Sequence, residues 1–128
     1  MNPQNTENTN FALDELHQKA MELAEAALYA KKNQEFETAQ AKYLAAFEYE
    51  KSAAMLLVND YEKEPTRSVL FRSAACLLLN LPFPNEAFFR QAERMVAHGL
   101  SGNPPEEIAE ELREAWQELI GFFQQAAA

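Results

Sequence analysis

The chain has 128 residues, a length typical of one domain, and alanine, glutamate and leucine supply 55 of them, whereas Val, Ile and Thr together supply only 9. Because the first three residues favour helices and the β-branched residues favour strands, this composition excludes a β-sandwich, a barrel or a doubly wound α/β sheet. The net charge of −9 argues against nucleic acid or an anionic membrane surface as a partner, since both are negatively charged.

The N-terminal segment differs in character from the rest of the chain. Residues 1–10 are polar and lack hydrophobic periodicity, which predicts a disordered tail before a single helical domain over residues 11–128. This segment has no signal-peptide pattern, and no apolar run of the chain is longer than that at residues 74–79, which is much shorter than the ~20 residues that span a bilayer. Because Cys76 is the only cysteine, no internal disulfide can form. These features favour a cytoplasmic protein.

Two helices are predicted in the first half of the domain. Apolar residues recur at three- and four-residue steps from Leu13 to Ala30, which predicts a helix from about Phe11 that ends near Asn33. A second helix is predicted over residues 34–60, before the break at Pro65. Its apolar seam consists of Phe36, Ala39, Tyr43, Ala46 and Ala53.

Three further helices are predicted in the second half. Residues 69–81 are nearly all apolar, so this third helix is expected at the centre of the fold. Asn85 is the predicted N-cap of a fourth helix that ends at Leu100. A fifth helix is predicted to begin with Asn103 as N-cap, Pro104 in the first helical position and Glu106 reaching back to the cap. The fold class is therefore all-α, with about five helices.

Small and large residues recur at a similar spacing in the two predicted pairs of helices. These residues are Ala27, Ala39, Tyr43 and Ala46 in the first pair, and Ala74 or Ala75, Ala92, Val96, Gly99 and Pro104 in the second. This spacing resembles the tetratricopeptide repeat, a family in which small residues lie where two helices of a hairpin touch and a large residue fills the gap between them. The resemblance implies two antiparallel hairpins and a C-terminal capping helix, arranged as a right-handed superhelix or bundle.

The resemblance is incomplete in its period. Ala39 and Ala92 lie 53 residues apart, whereas the repeat is about 34 residues long. Residues 72–112 are also similar to a segment found in small bacterial proteins of repeat-like fold.

No set of residues with catalytic or metal-binding spacing stands out, so the chain is not expected to be an enzyme or to hold a cofactor. Cys76 lies in the most apolar helix, where a buried thiol is unreactive. His17 follows Asp14 as a single Asp-x-x-His, which predicts a surface or hairpin-interface histidine and not a dinuclear metal site. The glutamates are interpreted as solvated helix faces opposite the apolar seams.

The basic residues are the candidate partner-binding residues. Residues 66–100 carry four arginines and two glutamates, between acidic segments on either side. Because the guanidinium group can bind a carboxylate through two hydrogen bonds, this basic segment is a candidate site for a partner. The candidates are Arg67, Arg72, Arg90, Arg94 and His98, and the resemblance adds Lys31 and Lys32 beside Arg72 in a groove lined by the first helix of each hairpin. The alternative interpretation is that these arginines only form ion pairs within the chain.

Two binding functions are consistent with this pattern. The first is a non-enzymatic adaptor that binds a peptide or protein partner. The alternative is a small acidic cytoplasmic chaperone for a secreted or aggregation-prone client, with Phe88, Phe89, Phe122 and Phe123 as apolar anchors. A homodimer is also predicted as possible, through Trp116 and the aromatic C-terminal end.

Overall fold

A computed structural model describes residues 3–127, and the side chains from residue 7 onward. Within this range the chain forms five α-helices and no strand, which confirms the predicted all-α class. The helices are α1 (Pro3–Lys32), α2 (Phe36–Met55), α3 (Thr66–Leu79), α4 (Glu86–Leu100) and α5 (Glu106–Ala127). None of these helices is long and apolar enough to cross a membrane.

The first helix is longer than the hydrophobic pattern predicts. It begins at Pro3, so α1 includes residues 3–10, for which the sequence predicts a disordered tail, and residues 1 and 2 lie outside the described part. Proline is tolerated in the first turn of a helix, where its missing N–H has no partner to lose. The helix ends in a turn with one residue in the left-handed conformation, and this residue is Gln34, with a φ of 63°, and not Asn33. The Glu35 N–H then donates to the Ala30 carbonyl at 2.8 Å, which closes the last turn.

The second helix ends five residues earlier than predicted, at Met55. Beyond it, the N–H groups of Leu57 and Val58 donate to carbonyls three residues back, which is a tighter turn than the α-helix. The Val58 carbonyl accepts two hydrogen bonds from the Arg67 side chain, at 3.2 and 3.0 Å. This carbonyl is therefore occupied by a side chain of α3 and does not continue the helical ladder.

The starts of α4 and α5 follow different rules. The Asn85 side chain accepts a hydrogen bond from the Phe88 N–H at 2.8 Å, which confirms it as the N-cap of α4. The predicted cap of α5 is wrong, because the helix begins at Glu106 and its first backbone bond joins the Ala109 N–H to the Pro105 carbonyl. Pro105 disfavours the helical conformation of the proline before it, so residues 103 and 104 stay outside the helix.

Consecutive helices pack against each other, and α3 also contacts α5. Small residues of α1 and α2 are fully buried where the two helices meet, which lets the helix axes approach closely. These residues are Ala20, Ala27, Ala39 and Ala46. The third helix is the centre of the fold, as predicted: Phe71, Ala74, Ala75 and Leu78 are inaccessible to solvent. Its remaining accessible face forms the floor of the site described next.

Candidate partner-binding groove

A groove with a volume of about 500 Å³ lies between α3 and α5. We call it the α3–α5 groove. Its lining residues are Arg72, Cys76 and Leu79 of α3, and Glu111, Glu114, Ala115 and Glu118 of α5. The three α3 residues are partly exposed although most of this helix is buried. The groove is therefore one place where the central helix of the fold is open to solvent.

Arg72 is the cationic group of the α3–α5 groove. Its Nη1 atom donates to Oε2 of Glu111 at 2.5 Å, so the guanidinium joins α3 to α5. Arg72 therefore lies in a groove with α5, and not in one that it shares with Lys31 and Lys32, and an acidic partner is already bound to it. Its capacity to bind a carboxylate is used within the chain.

The Cys76 thiol lies on the floor of the groove beside these charges. Burial raises the pKa of the Cys76 thiol above its usual value. The positive charge of Arg72 opposes this rise, whereas the negative charges of Glu111 and Glu118 add to it. The thiol is therefore protonated at neutral pH and is a weak nucleophile.

On its other side, α3 is linked to α1 and α2 through a buried carboxylate. Glu50 of α2 is inaccessible to solvent, and its Oε2 accepts a hydrogen bond from the Ser73 hydroxyl at 2.6 Å. Its Oε1 lies 2.8 Å from Nδ1 of His17. A serine and a histidine thus bond to the same carboxylate. In the arrangement that activates a nucleophile, the serine bonds to the histidine and the histidine bonds to the acid, so Ser73 is not activated in this way. The contacts join three helices.

The burial of Glu50 differs from the sequence-based expectation that every glutamate lies on a solvated face. The signal was present in the spacing of α2, since Glu50 follows Ala46 by four residues and precedes Ala53 by three. It therefore occupies a position of the apolar seam. A charged residue on a seam is buried with polar partners, and His17 and Ser73 supply them. His17 lies at the interface of the first hairpin, as its sequence context indicated.

Arg67 is a structural residue and not an accessible partner-binding group. Its side chain is 0% exposed, so the prediction that it contacts a partner is wrong. The guanidinium carbon lies 4.9 Å from the centre of the Tyr61 ring and 5.1 Å from that of Phe71. An Oε1 atom of Glu64 lies 3.8 Å from Nη1, and the Val58 carbonyl accepts two hydrogen bonds from the same side chain. Arg67 thereby holds the α2–α3 connection against α3.

The basic side chains of α4 do not extend the groove. Arg90 pairs with Glu86 and Glu93 of its own helix, and its guanidinium carbon lies 3.7 Å from the centre of the Phe123 ring of α5. His98 is partly buried, with its ring centre 5.2 Å from that of Phe71. Arg94 is exposed and forms no ion pair with another described residue. Arg72, Arg90 and His98 therefore contact different neighbours within the chain.

The two candidate lysines lie at the C-terminal end of α1. The Lys31 ammonium donates to the Asn80 carbonyl at 2.8 Å and lies 5.8 Å from the centre of the Tyr43 ring. This contact ties the end of α1 to the end of α3. Lys32 is exposed. Neither lysine lines the α3–α5 groove.

Among residues 3–127, no three His, Cys, Asp or Glu side chains lie close enough together to hold a metal ion. Compared with protein-family models, with curated proteins and with solved structures, the chain gives no match.

Proposed function

We propose that this protein is a non-enzymatic interaction module, a helical-repeat adaptor whose α3–α5 groove binds a segment of a partner protein in the cytoplasm. One observation carries this proposal. The central helix is packed on most of its surface, yet Arg72, Cys76 and Leu79 remain partly exposed along a groove of about 500 Å³. A concave surface between two helices is a common receptor for a peptide or a helix.

The resemblance to tetratricopeptide repeats supports the same role. In that family the first helix of each hairpin lines the binding surface. By position in the chain, α3 opens the second hairpin, so the α3 side of the groove corresponds to part of such a surface.

The alternative role as a chaperone has less support. Of the four phenylalanines considered as client anchors, Phe89 is buried and its ring centre lies 4.6 Å from that of Phe122. Phe88, Phe122 and Phe123 are partly buried against the core. These side chains hold α4 to α5 and offer little free apolar surface to a client.

The native cysteine provides a direct test, since it is the only thiol of the chain and lies in the groove. A photo-crosslinker is attached to Cys76 under mildly alkaline conditions, and the protein is irradiated in an extract of its native cells. We expect one discrete adduct that excess unlabelled protein suppresses. The control carries Cys76→Ala and Gln117→Cys, because Gln117 is exposed on α5 outside the groove.

The control separates binding in the groove from random collision. An adduct from position 76 and none from position 117 supports the proposal. The absence of an adduct at position 76, or equal labelling from both positions, contradicts it.

A further inference from the structure

The two walls of the α3–α5 groove carry unequal charge. The α5 wall presents Glu111, Glu114 and Glu118, whereas Arg72 is the basic residue of the lining. Arg72 pairs with Glu111, and neither Glu114 nor Glu118 has a cationic partner among the described residues. Like charges four residues apart on a helix repel each other, so this pair is unfavourable in the free protein. The groove therefore has two carboxylates whose charge the fold does not compensate.

The floor of the groove has a different character. Cys76 and Leu79 are partly exposed, and Ala115 lies beside them on α5. The groove thus combines an apolar floor with an acidic rim. Such a surface fits an amphipathic helix, whose apolar side chains enter the groove while its charged side chains meet the rim.

We propose that the α3–α5 groove selects a positively charged amphipathic helix of a partner protein. Lys or Arg side chains of this helix face Glu114 and Glu118, and its apolar side chains cover Cys76 and Leu79. The inference rests on the proposed function and adds to it the chemistry of the partner.

The charge proposed for the partner is opposite to the charge that the sequence suggested. The arginines suggested a partner that offers a carboxylate, but such a group would have to displace Glu111 from Arg72. It would also approach Glu114 and Glu118, which repel it. Charge complementarity at the rim therefore favours a cationic partner.

Two synthetic peptides test this selection. Both are labelled with fluorescein and carry the same leucines at helical spacing, with lysine at the polar positions of one and glutamate at those of the other. Fluorescence anisotropy measures their binding to the full chain. We expect the lysine peptide to bind, the glutamate peptide not to bind, and the affinity of the first to fall as salt is raised.

Two double variants of equal net charge locate the binding. Glu114→Gln with Glu118→Gln removes the two uncompensated carboxylates of the rim. Glu107→Gln with Glu110→Gln removes two exposed carboxylates of the same helix that do not line the groove. We expect the rim variant to bind the lysine peptide roughly 3- to 10-fold more weakly than the native chain, and the control to bind within about twofold of it.

Equal weakening in both variants overturns the inference, because the lysine peptide is then attracted only by the overall negative charge. Equal or better binding of the glutamate peptide also overturns it, as does binding of neither peptide. The proposed function is judged by the Cys76 crosslink alone. An adduct without peptide selectivity therefore refutes the charge inference and leaves the interaction module standing.

Discussion

Single residues of this protein derive their roles from what surrounds them more than from their type. Arg67 and Arg72 lie five positions apart on one helix, and one is fully buried while the other lines a groove. The buried guanidinium leaves its Nη1 atom without a hydrogen bond among the described residues. This atom lies against Gly102, where there is no side chain to displace it.

Gly102→Ala is expected to destabilise the fold. A Cβ at this position would collide with Nη1 of Arg67, and this guanidinium is held in place because its Nε and Nη2 donate to the Val58 carbonyl. We expect a loss of about 1–3 kcal/mol in the free energy of unfolding, measured by urea titration. The control is Gly121→Ala, where nothing lies within 4 Å of the added Cβ and the helix should gain about 0.5–1 kcal/mol. If both variants are equally stable, the position of Arg67 is not constrained by Gly102.

The reactivity of Cys76 is expected to depend on the charges of the groove. Since burial raises the pKa of this thiol, alkylation by iodoacetamide should be slow at pH 7 and should accelerate as the pH rises past the usual thiol range. Glu118→Gln removes a charge that raises the pKa, so alkylation at pH 8 should be roughly two- to threefold faster, as measured by mass spectrometry. Arg72→Gln should have the opposite effect. Glu114→Gln is the control and should leave the rate nearly unchanged; a rise as large as that of Glu118→Gln would refute the assignment.

At the scale of elements, helix ends and helix contacts depend on a few polar atoms. The sequence identified the N-cap of α4 because Asn85 stands alone before a helical pattern. It misplaced the start of α5, because Asn103 satisfies the same pattern while the two prolines after it delay the helix. Asn85 is therefore a true N-cap, whereas Asn103 only resembles one in sequence.

Asn85→Ala and Asn103→Ala test this difference. The first removes the acceptor for the Phe88 N–H and should cost about 1 kcal/mol of stability. The second removes an exposed side chain that forms no hydrogen bond with another described residue, and should change stability by less than about 0.5 kcal/mol. Thermal or urea unfolding measures both. Equal losses would mean that Asn103 also caps a helix.

The hydrogen bond from Ser73 to the buried Glu50 is one of the contacts that link α2 and α3. Ser73→Ala leaves one carboxylate oxygen without this donor, and we expect a loss of about 1–3 kcal/mol in urea titration. Ser52→Ala is the matched control, since its exposed hydroxyl donates to the Glu48 carbonyl of its own helix. That change should stay within about 0.5 kcal/mol. A neutral Ser73→Ala would show that Glu50 does not depend on this donor.

For the whole molecule, the excess of negative charge is the dominant electrostatic feature. The ion pairs of Arg90 and Arg113 lie at the surface, where each contributes about 0–1 kcal/mol. Because the net charge is −9, the acidic side chains repel one another across the entire fold.

Salt is therefore expected to stabilise this protein. Raising sodium chloride from about 10 mM to about 200 mM shortens the screening length several-fold, so the long-range repulsion falls more than the short-range pairs weaken. We expect a gain on the order of 1 kcal/mol in urea unfolding. A loss of stability on adding salt would show that the surface pairs outweigh the repulsion.

Self-association stays a prediction at this scale. The aromatic residues proposed for a dimer, Trp116, Phe122 and Phe123, are partly buried in the monomer. Phe11 and Tyr29 of α1 are each 70% exposed, so the larger free aromatic surface lies at the other end of the chain.

The sequence by itself determined the helical class, the number of helices and most of the core, because these follow from local propensity and from apolar spacing along one helix. Through a resemblance, it also made Arg72 a candidate groove residue, although with Lys31 and Lys32 and not with α5. Only the tertiary structure decided the charge of that groove, the burial of Arg67 and the role of Glu50. Each of these depends on a partner 9 to 39 residues away: Glu111 for the groove, Val58 for Arg67 and Ser73 for Glu50. Periodicity within one helix carries no information about which side chains of other helices lie opposite.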